Sequence, residues 1–201
     1  MPLEYEIKYV LHDNNLEEQL FNIAKCNASY SILLIEQHYM SRPARLRKST
    51  TLIRNCKVYR PNEEIKYMFA YKPRINGSVI EIETEISSDD FRLLLPETKK
   101  NLIKIRFLEE NSCKNEHWIV DFFKTSNHTY FVQSECELYG KRKTPSRMPD
   151  FIKNNIAYEV KPDNRDFSSR RLCHVVKASE LYEKVIGGRY ETKKTHETLS
   201  S

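Results

Sequence analysis

The chain has 201 residues, with 33 Lys and Arg against 28 Asp and Glu and a formal net charge of +5. That length suits one domain with a sizeable core, and 39% hydrophobic with 30% charged residues excludes a disordered chain. The charges are spread along the sequence rather than gathered in a basic tail, which argues against non-specific nucleic-acid binding.

The first predicted element is a strand, Leu3 to Val10, in which Glu4, Glu6 and Lys8 share one face and Leu3, Tyr5, Ile7 and Tyr9 the other. Asp13-Asn14-Asn15 then offers a helix cap before Leu16, Leu20 and Ile23, which share a helical face. Ser31 to Met40 reads as a strand; Pro43 breaks it, and a further strand begins at Ala44 with Arg45 and Arg47 on one face. The stretch from Thr51 to Asn62 is ambiguous, with a candidate strand from Leu52 to Val58. Alternation returns from Glu64 to Lys72, and Asn76-Gly77 is a hairpin signal leading into a strand from Val79 to Ile86. Ser87 caps a short helix through Phe91 and Leu94, which Pro96 follows. Strands are expected over Asn101–Glu109, Trp118–Phe123, Tyr130–Tyr139 and Ile156–Val160, with a short helix around Asp150. A C-terminal helix is expected from Ser168 or Ser169 to Val185, ended by Gly187-Gly188. Residues 1–189 are expected to form a single domain, and 190–201, lacking an apolar pattern, a disordered tail.

Five cysteines without a Cys-x-x-Cys spacing imply free thiols in a reducing compartment. No apolar stretch is long enough to span a bilayer and none reads as a signal peptide, so the expectation is a cytoplasmic protein with no membrane partner. With only 4 glycines, a P-loop or dinucleotide fingerprint is excluded. The histidines are isolated; His38 and His117 lie on or near strands and read as ordinary surface or core residues.

The candidate chemistry lies in charges repeated at period two: Glu4/Glu6/Lys8, Arg45/Arg47, Lys66/Lys72, Glu81/Glu83/Glu85, Lys104/Arg106 and Glu135/Glu137. After the first, each strand is single-signed, whereas a solvated face ordinarily mixes signs. If these faces point into a common interior, the charges must pair with one another or with a ligand, because a buried unpaired charge costs several kcal/mol. A polyphosphate with a divalent cation suits both signs at once. Carboxylates hold Mg²⁺ or Mn²⁺, and Lys and Arg take phosphate oxygens.

In order along the chain, these motifs resemble the CYTH superfamily, the triphosphate tunnel metalloenzymes. Glu4-x-Glu6-x-Lys8 resembles its N-terminal signature, Arg45-Leu46-Arg47 its Arg-x-Arg strand and Lys72 its phosphate-binding lysine. Glu81-Ile82-Glu83, Lys104-Ile105-Arg106-Phe107, Trp118-Ile119-Val120-Asp121, Glu135-Cys136-Glu137 and Glu159 to Arg165 follow in the family's order. The sequence departs from it at Lys161, where a Thr is usual, at Phe167 and Ser169, and at Val79, where an Arg often stands.

The resemblance implies an α+β fold: an eight-stranded antiparallel closed β-barrel with helices packed outside and a C-terminal helix. It implies metal binding by Glu4, Glu6, Glu135, Glu137 and, more weakly, Asp121, which could instead support a basic neighbour. Lys8, Arg45, Arg47, Lys72, Lys104, Arg106 and Arg165 would bind substrate, and Lys8, Glu81 and Glu83 would be catalytic, the two glutamates holding a second metal or orienting water. The implied activity is Mg²⁺- or Mn²⁺-dependent hydrolysis of inorganic triphosphate or a small organic triphosphate by a monomer or homodimer. The alternatives are RNA 5′-triphosphatase, adenylate cyclase, and a polyphosphate- or nucleotide-binding module without catalysis. An RNA 5′ end is the less favoured partner, since no aromatic-basic patch is evident.

Overall fold

The structure, a computed structural model, describes residues 4–41, 43–75, 78–110, 116–126, 128–139, 143–162 and 164–191. The side chains of Glu4, Arg74, Ile75, Ser78, Val79 and Tyr139 are also outside the description. The Asn76-Gly77 turn, Cys113 and residues 192–201 therefore lie outside the described residues.

The strands are β1 (Glu4–Leu11), β2 (Tyr30–Met40), β3 (Ala44–Arg54), β4 (Lys57–Val58), β5 (Ile65–Tyr71), β6 (Arg74–Ile75), β7 (Ser78–Val79), β8 (Ile82–Glu85), β9 (Thr98–Glu109), β10 (Glu116–Lys124), β11 (Thr129–Tyr139) and β12 (Ile156–Val160). The helices are α1 (Leu16–Cys26), α2 (Ser88–Leu94), α3 (Asp150–Lys153), α4 (Ser169–Leu172) and α5 (Val175–Ile186). An antiparallel sheet runs in the order β12-β1-β11-β10-β9-β2-β3-β5-β8, with β4 paired to β3 and β6-β7 a separate ribbon.

The antiparallel α+β organisation is as expected, but two particulars differ. The sheet has ten strands rather than eight, and its end strands β12 and β8 are not paired to each other, so among the described residues it is not a closed barrel. The extra strand β4 comes from the ambiguous stretch after Thr51: Asn55 and Cys56, at φ 50° and 61°, turn the chain back so that Lys57 pairs Arg54. The expected strand Val79–Ile86 is divided, because the Ile80 N–H turns aside to donate to the Pro73 carbonyl and pairing with β5 resumes only at Ile82. Only the four exposed residues of β8 remain to present an edge.

Period-two alternation gives the sheet two different faces. One buries Tyr9, Leu11, Ile32, Phe107, Trp118, Val120, Val132, Cys136 and Leu138 beneath α1 and α3. Helix α1 supplies Leu16, Leu20 and Ala24, four residues apart on one stripe, with Glu17 and Glu18 at its positive end. The other face carries the charges but is apolar towards one end, where Val10, Tyr39, Leu102, Phe123, Phe131 and Val160 meet Phe167, Leu172, Ala178 and Val185. The expected single C-terminal helix is two, α4 and α5, broken at Cys173 and His174. The break lets Leu172 and Ala178 both reach this apolar end. Tyr190 belongs to the folded part as well: its ring meets those of Tyr158 and Phe167, and its hydroxyl accepts from Asn164 Nδ2 at 2.8 Å. None of the described helices is long and apolar enough to cross a membrane.

The β3–β4 turn yields a test. A side chain in the left-handed region costs about 1 kcal/mol relative to glycine, and the Cys56 side chain is exposed. Cys56→Gly should raise stability by up to about 1 kcal/mol, read as a higher urea midpoint at unchanged slope. A lower midpoint would show that the thiol holds the hairpin.

Candidate functional site

The sheet register places the charged motifs on one face. Glu6 stands opposite Glu137 and Lys8 opposite Glu135. Asp121 stands opposite Arg106, and Phe123 opposite Lys104. Between β9 and β3 lies β2, whose residues on this face are uncharged: Leu33 and Ile35 stand opposite Arg106 and Lys104 of β9, and Gln37 and Tyr39 opposite Arg47 and Arg45 of β3.

Three groups of ion pairs form along this face. At one side, carboxylate oxygens of Glu6, Glu135 and Glu137 lie within 4.8 Å of one another. Lys8 Nζ bridges two of them, at 3.0 Å from Glu6 Oε2 and 2.6 Å from Glu135 Oε1, and Gln133 Nε2 donates to the same Glu135 oxygen at 2.7 Å. Burial works against the Glu135 carboxylate, but Lys8, Lys104 and Arg106 outweigh it and hold its pKa well below the usual range. Lys8 is held above its usual value by Glu135 and Glu6 against the opposing effect of burial. For Glu6, burial and the Glu135 charge push the pKa up to about 7, against the pull of Lys8. Its side chain is 43% exposed, so water moderates the effect.

At the centre, Asp121 is fully buried and bound by two cations. Arg106 takes it bidentately, Nε to Oδ1 at 2.8 Å and Nη2 to Oδ2 at 2.7 Å, and Lys104 Nζ lies 2.6 Å from Oδ2. Arg106 also reaches towards Glu135 at 3.9 Å and so joins the centre to the acidic trio. Arg106 and Lys104 pull Asp121 below its ordinary pKa despite its burial. Burial and the Arg106 charge push Lys104 down to about 8: two cations share one carboxylate here, and positive charge is in surplus.

On the far side, Glu81 pairs with Lys72 at 2.6 Å and Arg45 at 3.1 Å, while Glu83 lies 3.5 Å from Arg47 and 3.7 Å from Arg45. Burial, then Arg45 and Arg106, push Arg47 down to about 10, the mark of a guanidinium among like charges. The Nε atoms of Arg45 and Arg47 are buried without a hydrogen-bond partner among the described residues. Orphaned buried donors in a positive field are what an anion would satisfy.

Thus Glu6, Lys8, Glu135, Glu137, Lys104, Arg106, Asp121, Arg45, Arg47, Lys72, Glu81 and Glu83 are all on this face, the first seven joined through Arg106 and the other five on the far side of uncharged β2. The backbone of Glu4 continues the β1–β11 pairing, while its side chain lies outside the described residues. Asp121 sits with the cations, both oxygens engaged, and not with the glutamate trio. Arg165 is exposed on a 3-10 turn between β12 and α4. Two buried groups missing from the expected site are Gln133, beside Glu135, and Gln37, which donates to the Tyr39 hydroxyl; each has an unpartnered Oε1. Their signal was positional: each occupies a charged-face register position on its strand.

No protein-family model matches the sequence, and none of the curated proteins matches it. Among solved structures, the chain is similar to PH1012 from Pyrococcus horikoshii OT3 at 13% identity and a TM-score of 0.43, over 70% of this chain and 81% of that one. It is similar to HpAC1 from Hippeastrum, a candidate adenylyl cyclase whose structure is described as revealing a dominant triphosphatase activity, at 15% identity and a TM-score of 0.39, over 67% and 79%. A candidate adenylate cyclase from Bacillus halodurans matches at 8% identity and a TM-score of 0.43, over 97% and 95%. Likenesses this distant carry no weight for function, which rests on the side chains.

Two measurements test the electrostatics. Asp121→Ala leaves two buried cations uncompensated and should cost about 3–5 kcal/mol in urea unfolding; a loss under about 1 kcal/mol would mean that water enters the site freely. Because Glu6 binds its proton more tightly in the folded chain, its ionisation erodes stability as pH rises from 4.5 towards about 7. Glu6→Gln in metal-free protein should therefore raise the melting temperature more at about pH 8 than at about pH 5. An equal or reversed difference would contradict the crowding of the trio.

Proposed function

We propose that this protein hydrolyses a triphosphate, inorganic or a small organic one, with the help of a divalent cation. One observation carries the reading: a crowded three-carboxylate cluster and a buried surplus of cations occupy the same sheet face, joined through Arg106. The carboxylate oxygens of Glu6, Glu135 and Glu137 are the hard donors that Mg²⁺ or Mn²⁺ takes, and their mutual crowding, which raises the Glu6 pKa, is what such an ion would ease. Bound there, it would neutralise phosphate oxygens and acidify a water.

The chain's own groups supply the rest. Arg45 and Arg47 have buried Nε–H groups ready for phosphate oxygens, and these contacts would satisfy donors that are otherwise orphaned. Were phosphate to draw Lys72 and Arg45 from Glu81, and Arg47 and Arg45 from Glu83, these carboxylates would be free to accept a proton from the attacking water. Arg106 and Lys104, anchored by Asp121, keep a positive field that favours the charge gathering on the leaving phosphate. Lys8 keeps Glu135 ionised and oriented next to the cation site.

The test is a substrate panel of tripolyphosphate, nucleoside triphosphates, thiamine triphosphate and triphosphate-ended RNA, with free phosphate and cyclic AMP as readouts, with and without Mg²⁺ or Mn²⁺. Phosphate release should require metal and fall by about two orders of magnitude or more in Glu137→Ala, because several kcal/mol of charge stabilisation go with the metal. Cyclic AMP with pyrophosphate would replace hydrolysis by cyclisation, and tight binding without turnover would leave a binding module; either would overturn the proposal.

A further inference from the structure

Next to the site, on the same face, is a cavity of about 270 Å³ lined by Tyr39, Met40, Ser41, Lys99, Lys100 and Arg170. Every charged residue in its wall is a cation. Its position follows from the register. Lys100 stands opposite Tyr39, which stands opposite Arg45, so Lys100 and Arg45 face the same side two strand spacings apart, about 10 Å. Tyr39 is the β2 residue between them, and its hydroxyl is held by Gln37.

Arg170 is exposed and makes two contacts with this wall. Its Nη2 donates to the Met40 carbonyl at 3.0 Å, and its guanidinium carbon lies 5.8 Å from the Tyr39 ring centre. That bond uses one of the five donors of a planar fork. The nearby Cys173 thiol senses the same field: burial pushes it up to about 11, while Lys100, Arg170 and Lys104 pull it the other way.

We propose that this cavity is a second anion subsite that takes a tetrahedral phosphate-class oxyanion. Lys100 and Arg170 are its principal contacts, and Tyr39 is the wall it shares with Arg45. The subsite does not require a metal, since no carboxylate lines it. Two sources fit its chemistry: free orthophosphate, or the end of a phosphate chain whose other end lies at Arg45 and Arg47. The second rests on the proposed function; the first does not.

The experiment uses the full chain in excess EDTA, which removes any contribution from the glutamate trio. Orthophosphate is titrated by calorimetry and by ³¹P line broadening, at low and high salt. Wild-type protein should bind it, more weakly as salt rises. Lys100→Glu and Arg170→Glu, both at exposed positions, should each weaken binding about tenfold or more with unchanged melting temperature, while the same charge reversal at Lys25, exposed on α1 over the opposite face, leaves binding in place. Competition by tripolyphosphate that is lost in Arg47→Gln would assign the subsite to the end of a phosphate chain; simultaneous binding of both would assign it to free phosphate. Equal orthophosphate affinity in wild type, Lys100→Glu and Arg170→Glu, or none in wild type, would overturn the subsite. Metal-dependent phosphate release is measured separately, so hydrolysis can fail without touching this result, and the reverse.

Discussion

The buried triad of Lys104, Asp121 and Arg106 is the constraint on which the rest depends. A carboxylate with no exposure, between a lysine at 2% and an arginine, stays ionised only because both cations touch it. Two cations on one carboxylate cannot be neutral, however, and the surplus has to be shared with neighbours. Glu135 takes part of it through Arg106 on one side, and on the other the field reaches Arg47, across the uncharged residues of β2. A buried ion pair rarely contributes more stability than an apolar replacement would. The network is better understood as an arrangement that keeps charge of both signs under tension on one face.

That tension has a direction along the sheet. The carboxylates of Glu6, Glu135 and Glu137 crowd one another and the pKa of Glu6 rises, while Arg47 and Lys104 stand buried near like charges and theirs fall. A ligand presenting a cation at one end and anionic oxygens along its length would relieve both. Glu81 and Glu83 are different: they are paired now, and would be displaced rather than recruited.

Much of this was legible in the sequence because a strand has a period of exactly two residues per face, give or take a bulge. Glu4-x-Glu6-x-Lys8 and Glu135-x-Glu137 must each lie on one face once strands are granted, and Trp118, Val120 and Phe122 must oppose Asp121. What period two does not determine is which strand lies beside which. The assignment of Asp121 turned on that: β10 lies between β9 and β11, and its direct partner is Arg106, so it could have joined either the glutamates or the cations. The β4 return also needed information that alternation lacks, a pair of left-handed residues in which neither is glycine. The break between α4 and α5 was hidden for a similar reason, since Leu172, Val175 and Val176 continue a helical stripe in sequence while Cys173 and His174 leave the helix in space.

The apolar end of the charged face was the least predictable feature, and it bears most on access. Phe123 and Phe131 stand two residues along their strands from Asp121 and Gln133, on the same side, and pack with Phe167 and Leu172 from the C-terminal segment. Lys104 Nζ lies 5.4 Å from the Phe123 ring centre, so the ionic network ends directly against this layer. An apolar wall beside an ionic network lowers the local dielectric and strengthens each interaction made there. It also bars a charged ligand from entering through that part of the face. Beyond the wall's margin, at Tyr39, the face becomes cationic again at Lys100 and Arg170. A ligand carrying several negative groups would therefore meet positive charge on both sides of Tyr39, at Lys100 of β9 and Arg45 of β3, with an apolar barrier alongside it.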